Sequence, residues 1–224
     1  VARNILLDEL PDRVAIGDGE YEIYADFRVG ILFELMLRDD GIPREQKMGL
    51  ALDLFYPEGP PDVEAAYAGI LWFVSCGKRE PGALGETEDG PPAADRETAA
   101  DGVPRSAPRP GPPMRSRAQL YDFDEDAERI YAAFWQAYRI DLQALPVYHE
   151  DPVRGLHWWK FMALLGKLPD CDFTQAVHWR TATVPDKASR EMRARMERMI
   201  RSYALPDKRT EEEKEEDLAD ALMK

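Results

Sequence analysis

The sequence predicts a mainly α protein, a helical bundle with an N-terminal β-hairpin and a long Pro/Gly-rich central linker. Three observations carry that prediction. Apolar residues recur at helical spacing in one segment after another, which is the pattern of helices with one buried face. One short stretch near the start alternates with period two around a pair of glycines, as a hairpin does. Residues 78–118 hold many prolines and glycines and almost no large apolar side chains, so they lack the apolar surface that offsets the entropy of ordering a chain.

The N-terminal part, residues 1–77, opens with the hairpin. Val14 and Ile16 alternate before Gly17-Asp18-Gly19, and Tyr21, Ile23 and Ala25 alternate after it. The glycines supply the positive φ of a tight turn. A helix is expected from about Phe27 to Leu37, apolar nearly all round and therefore covered on several sides. Asp39-Asp40-Gly41 stops it. A second helix is expected from Pro43, a favoured first helical position, to about Phe55, before Pro57, Gly59, Pro60 and Pro61. A third follows Asp62 as N-cap and sets Val63, Ala66, Tyr67, Ile70 and Val74 on one face, with Gly77 closing it.

Residues 78–118 read as a disordered or extended linker; an ordered irregular loop is the alternative, and is rare at such length. The C-terminal helical part, residues 119–208, is expected to pack on the N-terminal part, because neither shows much core by itself. It begins with a helix capped by Asp124, in which Ala127, Ile130, Tyr131, Phe134 and Tyr138 form one stripe. A central helix is expected from Pro152 to Leu165, carrying Leu156, Trp158, Trp159, Phe161, Met162, Leu164 and Leu165. A short helix over Phe173–Arg180 and a longer one from about Lys187 to Tyr203 complete the part. Residues 209–224 are an acidic tail, in which Thr210 and Glu213 fit a capping box. A polar helix and a disordered tail both remain open for it.

The formal net charge of −14 disfavours phosphate backbones and anionic membrane surfaces. No apolar run reaches the length that spans a bilayer. Cys76 and Cys171 stand far apart, in no metal spacing, and read as reduced core thiols. The three histidines, His149, His157 and His178, make no i,i+4 pair. His157, beside Trp158, reads as a core residue bonded to backbone. There is no nucleophile elbow, phosphate loop or distinctive carboxylate pair. No enzyme, cofactor or metal site is expected.

Two features of the last helix bear on partners. Arg190, Arg193, Arg195, Arg198 and Arg201 form the one basic stretch of note. They read as exposed charge rather than a nucleic-acid surface, and the run Glu211 to Asp217 can fold back to neutralise them. Met192, Met196, Met199 and Tyr203 form an apolar stripe. Ordinary core packing is its plain reading. The alternative is an adaptable protein-binding surface, since methionine repacks around varied partners.

Two motifs add a resemblance. The stretch Leu120 to Leu142, opening Leu120-Tyr121-Asp122-Phe123-Asp124, and the stretch Leu156 to Pro169, opening Leu156-His157-Trp158-Trp159, resemble a small family of proteins from long-tailed phages and prophages. Phe173, the Trp179-Arg180 pair and the opening Leu10 to Arg28 fit the same likeness. The resemblance implies a tail-assembly-chaperone-like protein encoded next to the tape-measure protein. Its expected work is to keep that long helical client soluble while the tail tube polymerises, in the cytoplasm of the bacterial host. The implied partners are the tape-measure protein and, second, the tail-tube protein. A structural tail or connector component of the virion is the alternative. No catalytic residues come with the likeness, and Tyr121, Phe123, Trp158, Trp159 and Phe161 are expected in the core rather than at a client.

Overall fold

The computed structural model describes residues 4–59, 62–78 and 120–206. Its elements are two strands, β1 (Arg13–Ile16) and β2 (Gly19–Glu22), then seven helices: α1 (Phe27–Arg38), α2 (Arg44–Phe55), α3 (Val63–Val74), α4 (Ala127–Tyr138), α5 (Trp158–Leu165), α6 (Asp172–Thr181) and α7 (Arg190–Tyr203). The mainly helical fold with an N-terminal hairpin is therefore present. The expected linker, apart from Lys78, and the acidic tail lie outside the described residues.

The chain forms two compact units that do not follow chain order. One comprises Val1–Arg117 with Phe134–Leu168, the other Ala118–Ala133 with Pro169–Lys224. Helix α4 gives its first residues to the second unit and its last to the first.

In the first unit β1 and β2 pair antiparallel, Arg13 opposite Glu22 and Ile16 opposite Gly19. Gly17 takes φ +59°, so the positive angle falls at the first central residue of the turn alone, as in a type II′ hairpin. Gly19 needs none. Val14, Ile16, Ile23 and Ala25 are buried, which confirms the period-two face. The Tyr24 N–H donates to the Phe55 carbonyl at 2.7 Å, tying the hairpin exit to the end of α2. Asp26 caps α1, accepting the Arg28 N–H at 2.9 Å.

Residues Phe134–Leu168 are woven into this same core. Trp158 donates its N–H to the Ala25 carbonyl at 2.8 Å, and Phe27 donates to Leu156 at 3.0 Å. Gly30 of α1 is packed against the Trp158 indole, so a Cβ there would collide with the ring. Phe161 stacks between Phe27 and Phe134 at 5.1 Å from each. Phe33, Phe55 and Phe73 continue the aromatic chain edge to face.

Helix α5 is shorter than expected. Pro152–Gly155 is a turn, closed by the Gly155 N–H on the Asp151 carbonyl at 2.7 Å. Gly155 lies so near Tyr148 that a Cβ would stand 2.5 Å from its Cα. The helix starts only after His157, whose extended backbone (φ −67°, ψ 142°) and ring nitrogen cap it. His157 itself makes a strand-like bridge to Asp26, and an extended backbone cannot also be helical.

In the second unit Phe123, Ile130, Ala133, Phe173 and Ala176 are buried. Tyr121 lies edge-on to Phe123 at 5.1 Å. The carboxylate at the head of α4 that binds two backbone N–H groups is Asp122, from Asp124 and Glu125, rather than the expected Asp124. Helix α6 is capped at Cys171, whose N–H donates to Thr174 Oγ1 at 2.9 Å. Helix α7 begins three residues later than Lys187, because Ser189 caps it by accepting the Met192 N–H at 3.2 Å.

Candidate functional site

The candidate protein-binding residues, Met192, Met196, Met199 and Tyr203, all lie on α7. That helix packs against α6, and a charge network in the second unit reaches its C-terminal end. Asp126 is fully buried. Arg180 grips it with both terminal nitrogens, at 2.6 and 2.9 Å, and only 6% of the Arg180 side chain is exposed. Arg129 adds a bond to Asp126 at 2.9 Å and one to Asp172 at 2.7 Å. Burial pushes the Asp126 carboxyl upward. The bonds from Arg180, the Asp122 N–H and Arg129 outweigh it, and hold the group below the usual carboxylate range.

Arg180 also reaches α7. Its Nε donates to the Tyr203 carbonyl at 2.7 Å, one of the last carbonyls of α7, which has no partner within its own helix. The Arg129 guanidinium lies 5.9 Å from the centre of the Tyr203 ring, a cation–π approach. Tyr203 is thus an anchor. The stripe opens toward the other end: Met199 and Met196 are half-buried, Met192 is 55% exposed, and α7 has no buried residue at all. Ile200, half-buried, completes the stripe. The structure therefore places one of the four residues, Tyr203, at a structural joint and leaves Met192 open.

The first unit exposes apolar side chains as well: Leu32 on α1, Met48 and Leu50 on α2, and Trp135 on α4. Sequence reasoning gave α1 an apolar circumference but did not single out these positions.

Most of the groups suggestive of chemistry are occupied structurally, although the buried Nε2 of His149 has no hydrogen-bond partner among the described residues. His157 is buried; its Nδ1 accepts the Trp159 N–H and its Nε2 faces the Pro11 carbonyl, both at 3.0 Å. Since Nδ1 accepts, Nε2 carries the proton and donates. Neither nitrogen is left for a ligand. Burial lowers its pKa to about 4, so the ring is neutral. Trp158 and Trp159 donate their indole N–H groups to the Val74 and Phe73 carbonyls at 3.1 and 2.8 Å. These are terminal carbonyls of α3, so the tandem tryptophans cap one helix while filling the core. Cys76, at φ +56° in the same turn, has its thiol pushed up to about 11 by burial, which suppresses the reactive thiolate. His178 is exposed. Among the described residues no three His, Cys, Asp or Glu side chains are grouped to hold a metal, and no helix is long and apolar enough to cross a membrane.

One cleft of about 370 Å³ lies beside the hairpin, lined by Arg13, Glu20, Tyr21, Glu22, Pro57 and Glu58. Its three carboxylates and single arginine make it a polar recess, unlike the apolar pockets that hold most small ligands.

A family model described as Bacteriophage Gp15 protein matches residues 6–205. No curated protein and no solved structure matches the chain.

Proposed function

The chain belongs to the bacteriophage Gp15 family and is a phage structural or assembly protein; we propose that it is a non-enzymatic tail-assembly chaperone that keeps the tape-measure protein soluble while the tail tube forms. The observation that carries this reading is α7, an amphipathic helix with no buried residue and a Met192–Met196–Met199 stripe. A chaperone for long apolar helices has to offer apolar surface that the fold itself leaves uncovered. It also has to stay soluble while doing so, and the net charge of −14 serves that end. Methionine suits such a face because its unbranched side chain adapts to clients of different shape. A client helix laid on it would be read through apolar anchors three and four residues apart.

The protein works in the host cytoplasm during assembly, with the tape-measure protein as its client and the tail-tube protein as a second partner. Coexpression tests this reading. Tape-measure fragments that are insoluble alone are expected in the soluble fraction with this chain, and to return to the pellet when Met192 and Met196 are both changed to Glu. Fragments that stay insoluble beside the unaltered protein contradict it.

A further inference from the structure

The register of the hairpin decides which backbone groups of β2 face outward. Residues of an antiparallel pair alternate between partners that exchange hydrogen bonds and partners that do not. The Ile23 N–H donates to the Asp12 carbonyl at 2.8 Å, so Tyr21 and Gly19 are the next bonded positions, opposite Val14 and Ile16. Glu20 and Glu22 therefore turn their N–H and carbonyl groups away from β1. Among the described residues those groups have no hydrogen-bond partner.

The same edge is taken up one step further along. Tyr24, next in the alternation, donates its N–H to the Phe55 carbonyl at 2.7 Å, so the segment after α2 starts out beside β2. It does not continue as a strand. Pro57 has no N–H to give, and among the described residues neither Pro57 nor Glu58 bonds to β2. Between them and β2 lies the cleft of about 370 Å³, lined by Arg13, Glu20, Tyr21, Glu22, Pro57 and Glu58.

Charge decides what fits there. Glu20, Glu22 and Glu58 are all exposed, and Arg13 alone offsets them among the lining residues. A second copy of this edge would set glutamates opposite glutamates, which is repulsive. Charged side chains guard a free edge against pairing with its own kind; the same charges favour a strand of opposite sign.

We propose that the outer edge of β2 is a docking site for an extended cationic segment of another protein, which adds to the hairpin as a third strand. The segment's backbone bonds to Glu20 and Glu22, which lie about 7 Å apart along the strand. Three of its residues cover that span. The outer two are Lys or Arg and share a face with the two carboxylates. The middle one is apolar and shares the face of Tyr21. Backbone bonds hold the segment, and the alternate side chains select it. The site is on the hairpin, away in sequence from α7, and does not depend on the tape-measure reading.

The test is an amide NMR titration of the isotopically labelled full chain with the peptide acetyl-Thr-Lys-Val-Lys-Thr-amide. The Glu20 and Glu22 amide signals should shift together, and their exchange with solvent should slow. Glutamate in place of both peptide lysines should weaken binding at least about tenfold. The double variant Glu20→Lys with Glu22→Lys should reverse that preference. Methylating the backbone nitrogens of the two peptide lysines, which face the edge, should weaken binding about tenfold. Methylating the valine nitrogen, which faces away, should leave it nearly unchanged. Equal losses from the two methylations mean a charged contact without strand pairing and overturn the proposal. So do equal affinities for the lysine and glutamate peptides, or Glu20 and Glu22 amides that stay unmoved at millimolar peptide.

Discussion

The two compact units place polar groups in their interiors by different means. The first unit is built on rings: Trp158, Phe161, Phe33, Phe55 and Phe73 are buried together, and its innermost polar groups are a neutral imidazole and two indole N–H groups bonded to carbonyls. Its buried carboxylate, Asp26, sits at the margin, and its partner Arg28 is 35% exposed. The second unit has fewer large apolar side chains and centres on Asp126 and Arg180, both deep. Neutral hydrogen bonds in a packed aromatic core tolerate salt and lose stability in steps. A buried ion pair is weak as a net stabiliser but costly to break, because removing one partner strands the other charge. The unit with the thinner apolar core also carries the helix with no buried residue.

The largest expected effects fall one in each unit. Arg180→Ala leaves Asp126 buried without its main partner and should cost about 3–5 kcal/mol. Amide exchange should speed up in α6 and α7 while amides of α1 and α3 stay protected. Trp158→Ala should cost about 3–5 kcal/mol and do the reverse. If either substitution loosens both units equally, the contrast between them is wrong.

Acid should separate them next. The His157 pKa is about 4 in the fold, lowered chiefly by burial, against about 6.5 when unfolded. The unfolded chain therefore takes up that proton first as pH falls. The stabilisation of neutral His157 is full above pH 6.5 and is lost progressively down to about pH 4, on the order of 3 kcal/mol. His149, also lowered mainly by burial, acts in the same direction. Asp126 is held below its ordinary value, so its contribution is lost only at more acid pH. Urea melts followed by exchange at pH 7 and pH 4.5 should show the first unit weakened and the Asp126 network intact. Replacing His157 by Gln should flatten the pH dependence of the first unit.

Smaller effects sharpen the picture. Asp62→Ala removes the cap of α3, whose carboxylate accepts the Ala65 N–H at 3.0 Å, and should cost about 1 kcal/mol by thermal melting. Met192→Ser should change stability by less than about 0.5 kcal/mol, since the residue is exposed, yet should reduce the recovery of soluble tape-measure fragment. A large loss of stability from Met192→Ser would place that side chain in a core and remove it from the proposed binding face.

Helices were legible wherever one face was apolar and a cap or proline marked the start. Asp62, Pro43 and the glycine turn at Gly17 fixed elements to within a residue or two. The error at Pro152–Leu156 has a physical cause: an apolar pattern continued through a stretch that closes a local turn, Gly155 N–H on the Asp151 carbonyl, and ends with Leu156 bound to the Phe27 N–H, far away in sequence. The Asp126–Arg180 pair was not legible, because 54 residues separate its members and nothing in a surplus of acidic residues marks the buried one. The Trp179-Arg180 pair was visible only as part of a likeness. For α7 the stripe was readable, but its exposure was not, since periodicity gives a face and not what covers it.

The most direct test of the proposed role is mass spectrometry of purified phage particles beside the lysate that produced them. An assembly chaperone should be abundant in the lysate and missing from particles. Presence in particles at a fixed stoichiometry contradicts that role and makes the chain a structural tail or connector component.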